Sequence, residues 1–513
     1  MKQENRKIKI THFINLYLFR ALLTGALALI QLGLILACFC CAYYAFVIFR
    51  YVLFFTALFT ALKIASYPEH YPTKTGWIIG IMALPVIFLP LYFLFGRGKI
   101  IRKIKEYTKD HPLTAEGCID IKDKIPAKYA MQFSAVAKKG GFGIYDNTAC
   151  EYLSDGMDIL IKLRNMLESA EKYIFIEFFI IAKGAMWGEV LEILKRKAAE
   201  GVKIYILIDD IGTICLLPYK YPKKLKSFGI ECRRHNSFAP KITPAVNYRD
   251  HRKIVVCDGR TALTCGANIA DEYINRISPY GYWKDTGIFF EGQAAESFAD
   301  MFIQMWNLNG GDLKAEDHIT PYKNNQNNNN EFGVCMPFGD YPTRSIGYSE
   351  TVFLNMINSA EKSIYITTPY LVPDENITSA LWRAAERGID VRIITPLTPD
   401  KRFVHTITRQ NYIPMIEKGI KVYEYDPGFI HAKNILCDGK FAYVGSANLD
   451  LRSLYLHFEC GVLMYKCEAC EQLKKDFDEL FTISHLMKDT DEVLIQAKKS
   501  FIGRIMRFIA PLL

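Results

Sequence analysis

The N-terminal part of the chain consists of long charge-free runs separated by short polar breaks. No residue is charged from 21 to 49, Arg50 interrupts, and apolar sequence resumes from 51 to 62. A second charge-free run extends from 75 to 96. A membrane-spanning helix needs about 20 apolar residues, so the second run predicts one span and the first suits one or two. The pattern therefore predicts two or three transmembrane helices, and it is far too long for a cleavable signal peptide.

Basic residues flank these runs on both sides. The cluster before the first run is Lys2, Arg6, Lys7 and Lys9, and the cluster after the second is Arg97, Lys99, Arg102, Lys103 and Lys105. Basic loops stay in the cytoplasm, which favours an even number of spans, whereas the length of the runs favours three. The dense cluster after residue 96 predicts in either case a cell-membrane protein whose remaining domains are cytoplasmic.

Beyond residue 105 the chain becomes mixed in polarity and repeats itself. Segment 169–176 (SAEKYIFI) resembles 359–366 (SAEKSIYI), and each leads from a helix-like pattern into a strand. Segment 198–207 (AAEGVKIYIL) resembles 384–394 (AAERGIDVRII) in the same way. Alternating helices and strands predict βαβ units with a mostly parallel sheet covered on both faces. The self-similarity predicts two copies of one α/β domain.

Changes in composition suggest where these units begin and end. The polar run 324–330 (NNQNNNN) has nothing to bury and predicts a linker or surface loop between the copies. The predicted units are a membrane region (1–106), a linker (107–150), a first domain (151–320), a second domain (321–482) and a C-terminal region (483–513). In the last region Phe501, Ile505, Phe508 and Leu512 recur at helical spacing beside basic residues. This pattern is typical of an amphipathic helix on an anionic bilayer, and a helix docked on the protein core is the alternative.

Overall composition narrows the class of protein further. Of 513 residues, 50% are hydrophobic and 23% are charged, which excludes a disordered or fibrous chain. The net charge of +9 is modest. Fourteen cysteines are too dilute for a disulfide scaffold, so we expect them to be mostly reduced and buried. Cys467 and Cys470 form a CxxC without a second pair, which does not indicate a zinc site.

Each copy contains the motif HxKxxxxD. Its residues are His251, Lys253 and Asp258 in the first copy and His431, Lys433 and Asp438 in the second. Equivalent residues lie 180 positions apart. One such match arises readily by chance, but two in register within a repeat do not. We therefore interpret these six residues as the candidate catalytic set.

The spacing within the motif has a physical meaning. Residues i and i+2 of a strand share a face, so the His and Lys of each motif project together. The ammonium tends to keep the imidazole neutral, and the pair makes sense if both face an anion. A neutral His then serves as nucleophile or base, and the Lys neutralises a phosphate oxygen. Asp258 and Asp438 each precede a glycine, an ordinary turn signal, so we expect them to hold the motif together.

Further polar residues follow each motif. Small-residue turns carry Asn268 in the first copy, and Ser446 and Asn448 in the second, as candidate substrate-binding residues. A carboxylate usually orients a catalytic imidazole. Asp285 is the candidate for this role in the first copy, and Glu459, which lies 28 residues beyond the second motif His, is the candidate in the second. The chain has no Walker P-loop, no HExxH and no aspartate cluster suited to Mg²⁺, so we expect phosphate chemistry without a metal or cofactor.

The paired motifs resemble the phospholipase D superfamily, and the wider sequence resembles the bacterial cardiolipin synthases within it. The segments that carry the wider resemblance are 72–77 (PTKTGW), 268–273 (NIADEY), 281–285 (GYWKD), 368–373 (TPYLVP) and 445–453 (GSANLDLRS). Two positions depart from the family pattern. Cys265 stands where a glycine is expected before the first small-residue turn, and His457 stands where the family commonly has Asn.

The resemblance implies two tandem phospholipase D-like α/β/α domains packed around a shared active site and preceded by transmembrane helices. It implies that one phosphatidylglycerol donates its phosphatidyl group to a second, giving cardiolipin and glycerol. By the logic of the family, His251 attacks phosphorus and forms a phosphatidyl-histidine. His431 protonates the departing glycerol and then deprotonates the incoming hydroxyl. Lys253, Lys433 and the two candidate asparagines would hold the phosphoryl oxygens.

Three other functions remain open at this point. The nearest is another phospholipase D-type phosphatidyltransferase or hydrolase, with a different acceptor or with water. A nuclease would use the same four His and Lys residues, but the charge-free runs argue against it and there is no long basic stripe with aromatic residues. We therefore expect no nucleic-acid partner. A non-enzymatic membrane scaffold would not need both motifs.

Overall fold

The computed structural model describes most of the chain. The described residues are 18–19, 21–37, 43–66, 73–95, 99–113, 119–121, 124–236, 248–318, 333–342 and 347–509. The basic cluster before residue 10, the polar run 324–330 and Leu512 lie outside the described residues, so the expectations for them stay predictions.

The described residues form helices throughout and strands from residue 148 onwards. The helices are α1 (Ala21–Ala37), α2 (Tyr43–Ser66), α3 (Thr73–Ala83), α4 (Pro85–Phe95), α5 (Lys99–Asp110), α6 (Ala127–Gly140), α7 (Gly156–Glu168), α8 (Ala185–Ala199), α9 (Asp210–Thr213), α10 (Tyr221–Lys226), α11 (Ala294–Leu308), α12 (Tyr348–Ser359), α13 (Glu375–Glu386), α14 (Arg402–Glu417), α15 (Leu451–Tyr455), α16 (Glu468–Thr482), α17 (Glu492–Lys499) and α18 (Phe501–Ile509). The strands are β1 (Thr148–Leu153), β2 (Tyr173–Phe178), β3 (Lys203–Asp209), β4 (Ile230–His235), β5 (Arg249–Asp250), β6 (Lys253–Cys257), β7 (Thr261–Cys265), β8 (Tyr282–Lys284), β9 (Gly287–Gly292), β10 (Val334–Asp340), β11 (Ser363–Thr367), β12 (Asp390–Pro396), β13 (Lys421–Tyr425), β14 (Gly428–Ile430), β15 (Asn434–Cys437), β16 (Phe441–Gly445), β17 (His457–Tyr465) and β18 (Ser484–Leu486).

Among the described residues, one helical segment, Val47–Ser66 of α2, is long and apolar enough to cross a membrane. The second charge-free run does not form the single straight span that its length predicts. It breaks before Pro85 into α3 and α4, each of 11 residues, or about 16 Å, which is half the thickness of the hydrocarbon core. Proline ends the first helix because it lacks an N–H and its ring clashes with the preceding turn.

The two short helices fold back on each other and pack on α2. The rings of Trp77 and Tyr92 lie 5.5 Å apart, whereas a continuous helix would separate residues with that spacing by about 22 Å. Ile81 and Leu89 of this helical hairpin form a small apolar core with Ala57 and Ile64 of α2. The second run therefore buries apolar surface against a neighbouring helix rather than crossing as one rod.

Two mixed sheets form the two halves of the remaining chain. The first has the strand order β1-β9-β7-β6-β2-β3-β4, and the second has the order β10-β17-β16-β15-β11-β12-β13-β18. Three neighbouring strands are parallel in each sheet, β2-β3-β4 and β11-β12-β13. The other neighbours along both orders are antiparallel, so the predicted mostly parallel sheet is wrong. The equivalent order of the strands fits two copies of one mixed α/β domain.

The turn after each motif strand explains the antiparallel pairing. Asp258 and Gly259 have φ of 56° and 65°, and Asp438 and Gly439 have φ of 53° and 68°. Two successive residues with positive φ make a type I′ turn, whose twist matches a two-stranded hairpin and which Asp-Gly adopts readily. The chain therefore returns directly from β6 into β7 and from β15 into β16, without a crossover helix.

Helices cover the outer faces of both sheets, and the inner faces pack around α11 and α16. α7, α8 and α10 contribute to the core on the first sheet, and α6, α12, α13 and α14 to the core on the second. A third core joins both inner faces. α11 is buried on all sides from Ala294 to Trp306, as a helix between two sheets must be. The predicted linker 107–150 contains α6, and the predicted C-terminal region begins with β18 of the second sheet.

Two short parallel strand pairs connect the halves at the motifs. β5 of the first half pairs with the start of β17, and β14 of the second half pairs with β8. His251 follows β5 directly and His431 follows β14. Their backbone N–H groups donate to the carbonyls of Phe458 at 2.9 Å and Lys284 at 2.7 Å. Each motif therefore begins with its backbone bonded to the other half.

A buried ion pair lies beside one of these connections. Lys284 Nζ donates to Asp476 Oδ1 at 2.5 Å and to the Ser154 carbonyl at 2.5 Å. The second carboxylate oxygen of Asp476 accepts from the Tyr152 hydroxyl at 2.7 Å. The pair links β8 of the first half to α16 of the second.

We expect Lys284→Met to destabilise the protein strongly because it leaves the Asp476 carboxylate buried without its cation. Breaking such a pair costs on the order of 3–5 kcal/mol. The melting temperature of the detergent-solubilised protein measures the effect. Lys421→Met is the matched control, since Lys421 forms a half-exposed pair with Asp390 and its loss should cost less than about 1 kcal/mol. Equal melting temperatures for the two variants would contradict this role of the buried pair.

Candidate active site

Both motif histidines line one cavity of about 510 Å³ whose wall comes from both halves. The volume lies within the range of small-molecule sites. Aromatic rings surround the second imidazole, with the rings of Trp283 at 5.3 Å, Tyr273 at 5.7 Å and Phe429 at 5.8 Å from that of His431. The ring of Phe179 lies 5.3 Å from that of His251. The two imidazoles therefore face one partly apolar space.

Each imidazole is hydrogen-bonded to a carboxylate from the other half. His251 Nδ1 lies 3.0 Å from both carboxylate oxygens of Glu459, and His431 Nδ1 lies 2.6 Å from Asp285 Oδ2. Chain position suggests that each carboxylate orients the His of its own copy. This expectation is wrong, because each carboxylate is bonded to the His of the other copy. The strand pairs are the cause: Glu459 lies on β17 beside β5, and Asp285 follows β8 beside β14.

Hydrogen bonding at Nδ1 determines the tautomer of each imidazole. A carboxylate accepts from Nδ1–H, so Nε2 keeps its lone pair. Burial lowers the pKa of His431 to about 4, with Lys433 adding to the effect and Asp285 opposing it. Burial and the cation of Lys253 likewise hold the pKa of His251 well below its ordinary value. Both imidazoles are neutral at neutral pH.

The two carboxylates are fixed by further hydrogen bonds. Ser446 Oγ donates to Glu459 Oε2 at 2.6 Å, and the backbone N–H of Thr286 donates to Asp285 Oδ1 at 2.9 Å. Ser446 is fully buried and is not part of the cavity wall, so its predicted contact with substrate stays a prediction. It lies at the end of β16 next to β17, where its hydroxyl reaches the carboxylate instead. Burial would raise the pKa of Asp285, but His431 and Lys433 outweigh it and lower that pKa.

The motif lysines are buried and do not form part of the cavity wall. Lys253 Nζ donates to the carbonyl of His251 at 2.6 Å, and Lys433 Nζ donates to the carbonyl of His431. Burial lowers the pKa of Lys253, and it lowers the pKa of Lys433 to about 7, with Asp285 opposing. A buried ammonium of this kind gains from an incoming anion.

The two candidate asparagines do line the cavity. Asn268 Oδ1 accepts from the Ile180 N–H at 3.0 Å, and its Nδ2 donates to the Tyr273 hydroxyl at 2.7 Å. Asn448 Nδ2 donates to Asp450 at 3.0 Å, and its Oδ1 is buried without a hydrogen-bond partner among the described residues. Both amides are thus held in place by the protein at the edge of the site.

The motif aspartates lie outside the cavity. Asp258 accepts from three consecutive backbone N–H groups, residues 171 to 173, at 2.7–2.8 Å. Asp438 accepts from residues 361 to 363 at 2.7–3.2 Å. Both therefore attach the motif hairpin to the start of the neighbouring strand, β2 or β11. This is the expected structural task, and their place in the candidate catalytic set is wrong.

Several residues of the site have no signal in the motif spacing. Lys401 and Arg452 belong to the cavity wall. Lys401 comes from a segment without a motif, whereas Arg452 lies within the GSANLDLRS segment, so that segment was the available signal. Tyr370, which donates to Asp400 at 2.6 Å, lies within the TPYLVP segment, so that segment was the available signal. Arg252, the middle residue of the first motif, is buried and donates to the carbonyl of Glu459 at 3.2 Å and to that of Asp340 at 3.1 Å.

The lowered pKa of His431 makes stability depend on pH. An unfolded His titrates near 6.5, so between about pH 6.5 and 4 the unfolded chain binds a proton that the folded chain does not. The free energy of unfolding therefore falls as the pH falls through this window. We expect His431→Asn to weaken this dependence, measured as melting temperature from pH 7 to pH 4.5. His485→Asn, at an exposed His, is the control for loss of an imidazole, and an unaltered pH dependence in His431→Asn would refute the assignment.

Comparisons with known proteins indicate the family of the chain. The family model described as "Cardiolipin synthase, PLD-like domain" matches residues 163–306 and 353–481. A cardiolipin synthase of Halalkalibacterium halodurans is 33% identical over 84% of this chain and 86% of its own length. Cardiolipin synthase 2 of Bacillus cereus is 32% identical over 82% and 83%.

Two further similarities concern an uncharacterized protein and a solved structure. The uncharacterized protein, from Streptococcus mutans, is 39% identical over 73% of this chain and 81% of its own length. The crystal structure of a phosphatidylserine synthase from Haemophilus influenzae matches with a TM-score of 0.54 and 16% identity, covering 71% of this chain and 95% of that one. That likeness concerns the fold alone. By the family match and these relatives, the chain belongs to the cardiolipin synthases of the phospholipase D type, a family of phosphatidyltransferases.

Proposed function

We propose that this protein transfers a phosphatidyl group from one phosphatidylglycerol to another and releases glycerol, through a phosphatidyl-histidine intermediate. The observation that carries the proposal is the single cavity lined by two neutral imidazoles, each bonded through Nδ1 to a carboxylate. Such an arrangement suits a double displacement at phosphorus, in which one His forms a covalent bond and the other moves protons.

In the first step, His251 Nε2 attacks phosphorus and the bond from phosphorus to the glycerol oxygen breaks. The phosphodiester is an anion, and its entry raises the pKa of both His431 and Lys433. His431, which is neutral in the free enzyme, takes up a proton at Nε2 as the substrate binds and becomes an imidazolium that Asp285 stabilises across the 2.6 Å hydrogen bond. This proton passes to the departing glycerol oxygen and leaves His431 neutral again.

In the second step, His431 takes a proton from the hydroxyl of the second phosphatidylglycerol, whose oxygen attacks phosphorus. The bond from phosphorus to His251 breaks and the free imidazole returns. The lowered pKa of Asp285 supports His431 as the acid and base, because an ionised carboxylate stabilises the imidazolium that this role requires. Lys253 and Lys433 are proposed to neutralise the charge that develops on the phosphoryl oxygens.

We expect the purified protein in detergent to convert phosphatidylglycerol into cardiolipin in the presence of a chelator. His251→Ala and His431→Ala should lower the rate by at least about 10²–10⁴-fold, since each removes a group that acts in both steps. Lipid products are measured by chromatography, and His485→Asn is the matched control on the surface. Phosphatidic acid as the main product would show that the protein is a hydrolase and not a synthase. Full activity in either alanine variant would refute the shared site.

We further propose that the protein is a multi-pass protein of the cell membrane with its catalytic domains on the cytoplasmic face. α2 and the α3–α4 hairpin would anchor the chain, and α18 would lie on the bilayer surface. α18 packs against α14, with Gly503 close to Gln410, and its outer side exposes Phe501, Ile502 and Ile505. The two alternatives for this helix are therefore compatible, since one side packs on the protein and the other is free for lipid.

The position of α18 suits delivery of lipid to the cavity. Arg507 of this helix lines a second hollow of about 380 Å³. The hollow shares Val372, Ile407 and Leu451 with the catalytic cavity. A lipid whose headgroup enters the cavity could thus lie along one continuous wall that ends at the proposed membrane surface.

We expect Phe501→Asp with Ile502→Asp to reduce activity on vesicles of phosphatidylglycerol more than activity on the same lipid in detergent micelles. Charged residues on the apolar side would weaken its insertion into the bilayer. Met131→Asp, which places a charge at an equally exposed apolar position of α6, is the control. Equal losses in vesicles and micelles would contradict a membrane role for α18.

A further inference from the structure

We propose that His251, His457 and Glu459 form a binding site for a divalent transition metal ion, Zn²⁺ above all, and that the bound ion switches the enzyme off. The binding site is inferred from geometry alone. The inhibitory effect also depends on the proposed function, because it assigns His251 as the nucleophile.

The three side chains have the spacing of a metal site. Their candidate ligand atoms all lie within 4.8 Å of one another. His251 Nδ1 lies 3.0 Å from both oxygens of Glu459, and His457 Nδ1 lies 3.5 Å from Glu459 Oε1. Ligand atoms about 2.0–2.2 Å from a tetrahedral Zn²⁺ lie about 3.3–3.6 Å from each other. The two pairs that include Glu459, at 3.0 and 3.5 Å, are near this spacing, and the two imidazole atoms, which lie within 4.8 Å of each other, would move closer around an ion.

The donor set matches the chemistry of zinc. Two imidazoles and one carboxylate with a fourth position left open form a familiar Zn²⁺ set. Because His251 and His457 both line the catalytic cavity, the open position would face it. Glu459 supplies the negative charge. The nearby cations of Lys253 and Arg452 reduce the attraction, so we expect weaker binding than at a structural zinc site.

His457 provides a second, independent observation. Its side chain is only 13% exposed, and its buried Nδ1, although 3.5 Å from Glu459 Oε1, makes no hydrogen bond in the part of the chain that the structure describes. Buried polar atoms normally have partners, so this one calls for an explanation. A ring nitrogen without a hydrogen-bond partner in the protein can offer its lone pair to a metal.

The other half lacks the third ligand. In the pair β8–β14, Trp283 lies opposite Phe429, which is two residues before His431. In the pair β5–β17, His457 lies opposite Arg249, which is two residues before His251. Trp283 thus occupies, beside His431, the position that His457 occupies beside His251. An indole N–H is a donor only and cannot bind a cation. The metal site would therefore form on one imidazole of the pair, not on both.

Occupation of this site would block the first step. The ion takes the lone pair of His251 Nδ1, and the proton that Nδ1 carried moves to Nε2, since a neutral imidazole holds one proton. Nε2 then has no lone pair with which to attack phosphorus. The Glu459 carboxylate is also withdrawn from its hydrogen bond to the imidazole.

The site can be tested with CoCl₂, whose visible spectrum reports nitrogen and oxygen ligands, and with ZnCl₂ as competitor. Detergent-solubilised full-length protein, stripped with a chelator that is then removed, should bind Co²⁺ and release it to Zn²⁺. His457→Asn should weaken this binding by about tenfold or more, because even disturbing the surroundings of a ligand costs that much. His485→Asn, at an exposed surface His, should bind as the unmodified protein does.

Inhibition is measured on the same preparations as the Zn²⁺ concentration that halves cardiolipin formation, each variant relative to its own zinc-free rate. We expect a chelator to restore activity and His457→Asn to raise this concentration at least about tenfold. Unchanged Co²⁺ binding in His457→Asn would overturn the site. Binding through His457 without loss of activity would overturn the inhibitory effect. Binding through His457 in a protein that makes no cardiolipin would leave the site standing and refute the proposed function instead.

Discussion

The hydrogen bonds that cross between the halves, from His251 to Glu459 and from His431 to Asp285, determine how this molecule is built. Among the described residues, neither motif imidazole has a carboxylate of its own half hydrogen-bonded to Nδ1. The short pairs β5–β17 and β8–β14 bring each carboxylate to the opposite motif. The duplicated domains must therefore be assembled before either imidazole has a fixed tautomer, and the large core around α11 and α16 stabilises that assembly.

Burial gives the site its electrostatic character. Two ammonium groups and two carboxylates lie close together out of water, with two imidazoles that burial keeps neutral: Lys253, Lys433, Asp285, Glu459, His251 and His431. The charges balance without substrate, but the lysines remain poorly solvated, as their lowered pKa values indicate. An entering phosphodiester relieves this cost and makes the second imidazole easier to protonate. In the proposed mechanism, substrate binding and acid catalysis are coupled in this way.

The same geometry distinguishes the two imidazoles although their motifs are nearly identical. His431 has one short bond to a carboxylate that also accepts from a backbone N–H. The Glu459 carboxylate instead accepts hydrogen bonds from both His251 and Ser446, and it lies 3.5 Å from His457 Nδ1. These neighbours suit His431 for moving protons. They fit the proposed role of His251 in bond formation, and a third imidazole, that of His457, lies beside it.

The sequence by itself determined the features that depend on local or repeated chemistry. Two motifs at a constant spacing identified the four His and Lys residues as candidates for catalysis. The Asp-Gly turns indicated that Asp258 and Asp438 anchor the motifs. Both are properties of short segments, and the duplication made them visible. The resemblance to the cardiolipin synthases was likewise available from motifs spread along the chain.

Only the tertiary structure decided which groups meet. The carboxylates proved to be exchanged between the halves because strand pairing over 146 and 208 residues of chain is set by packing, not by proximity in sequence. Ser446 donates to Glu459 rather than lining the cavity because the pairing of β16 with β17 brings the two side chains together. The second apolar run folds back at Pro85 because burial on α2 is available to two short helices. Hydropathy records how apolar a segment is, but not what it packs against.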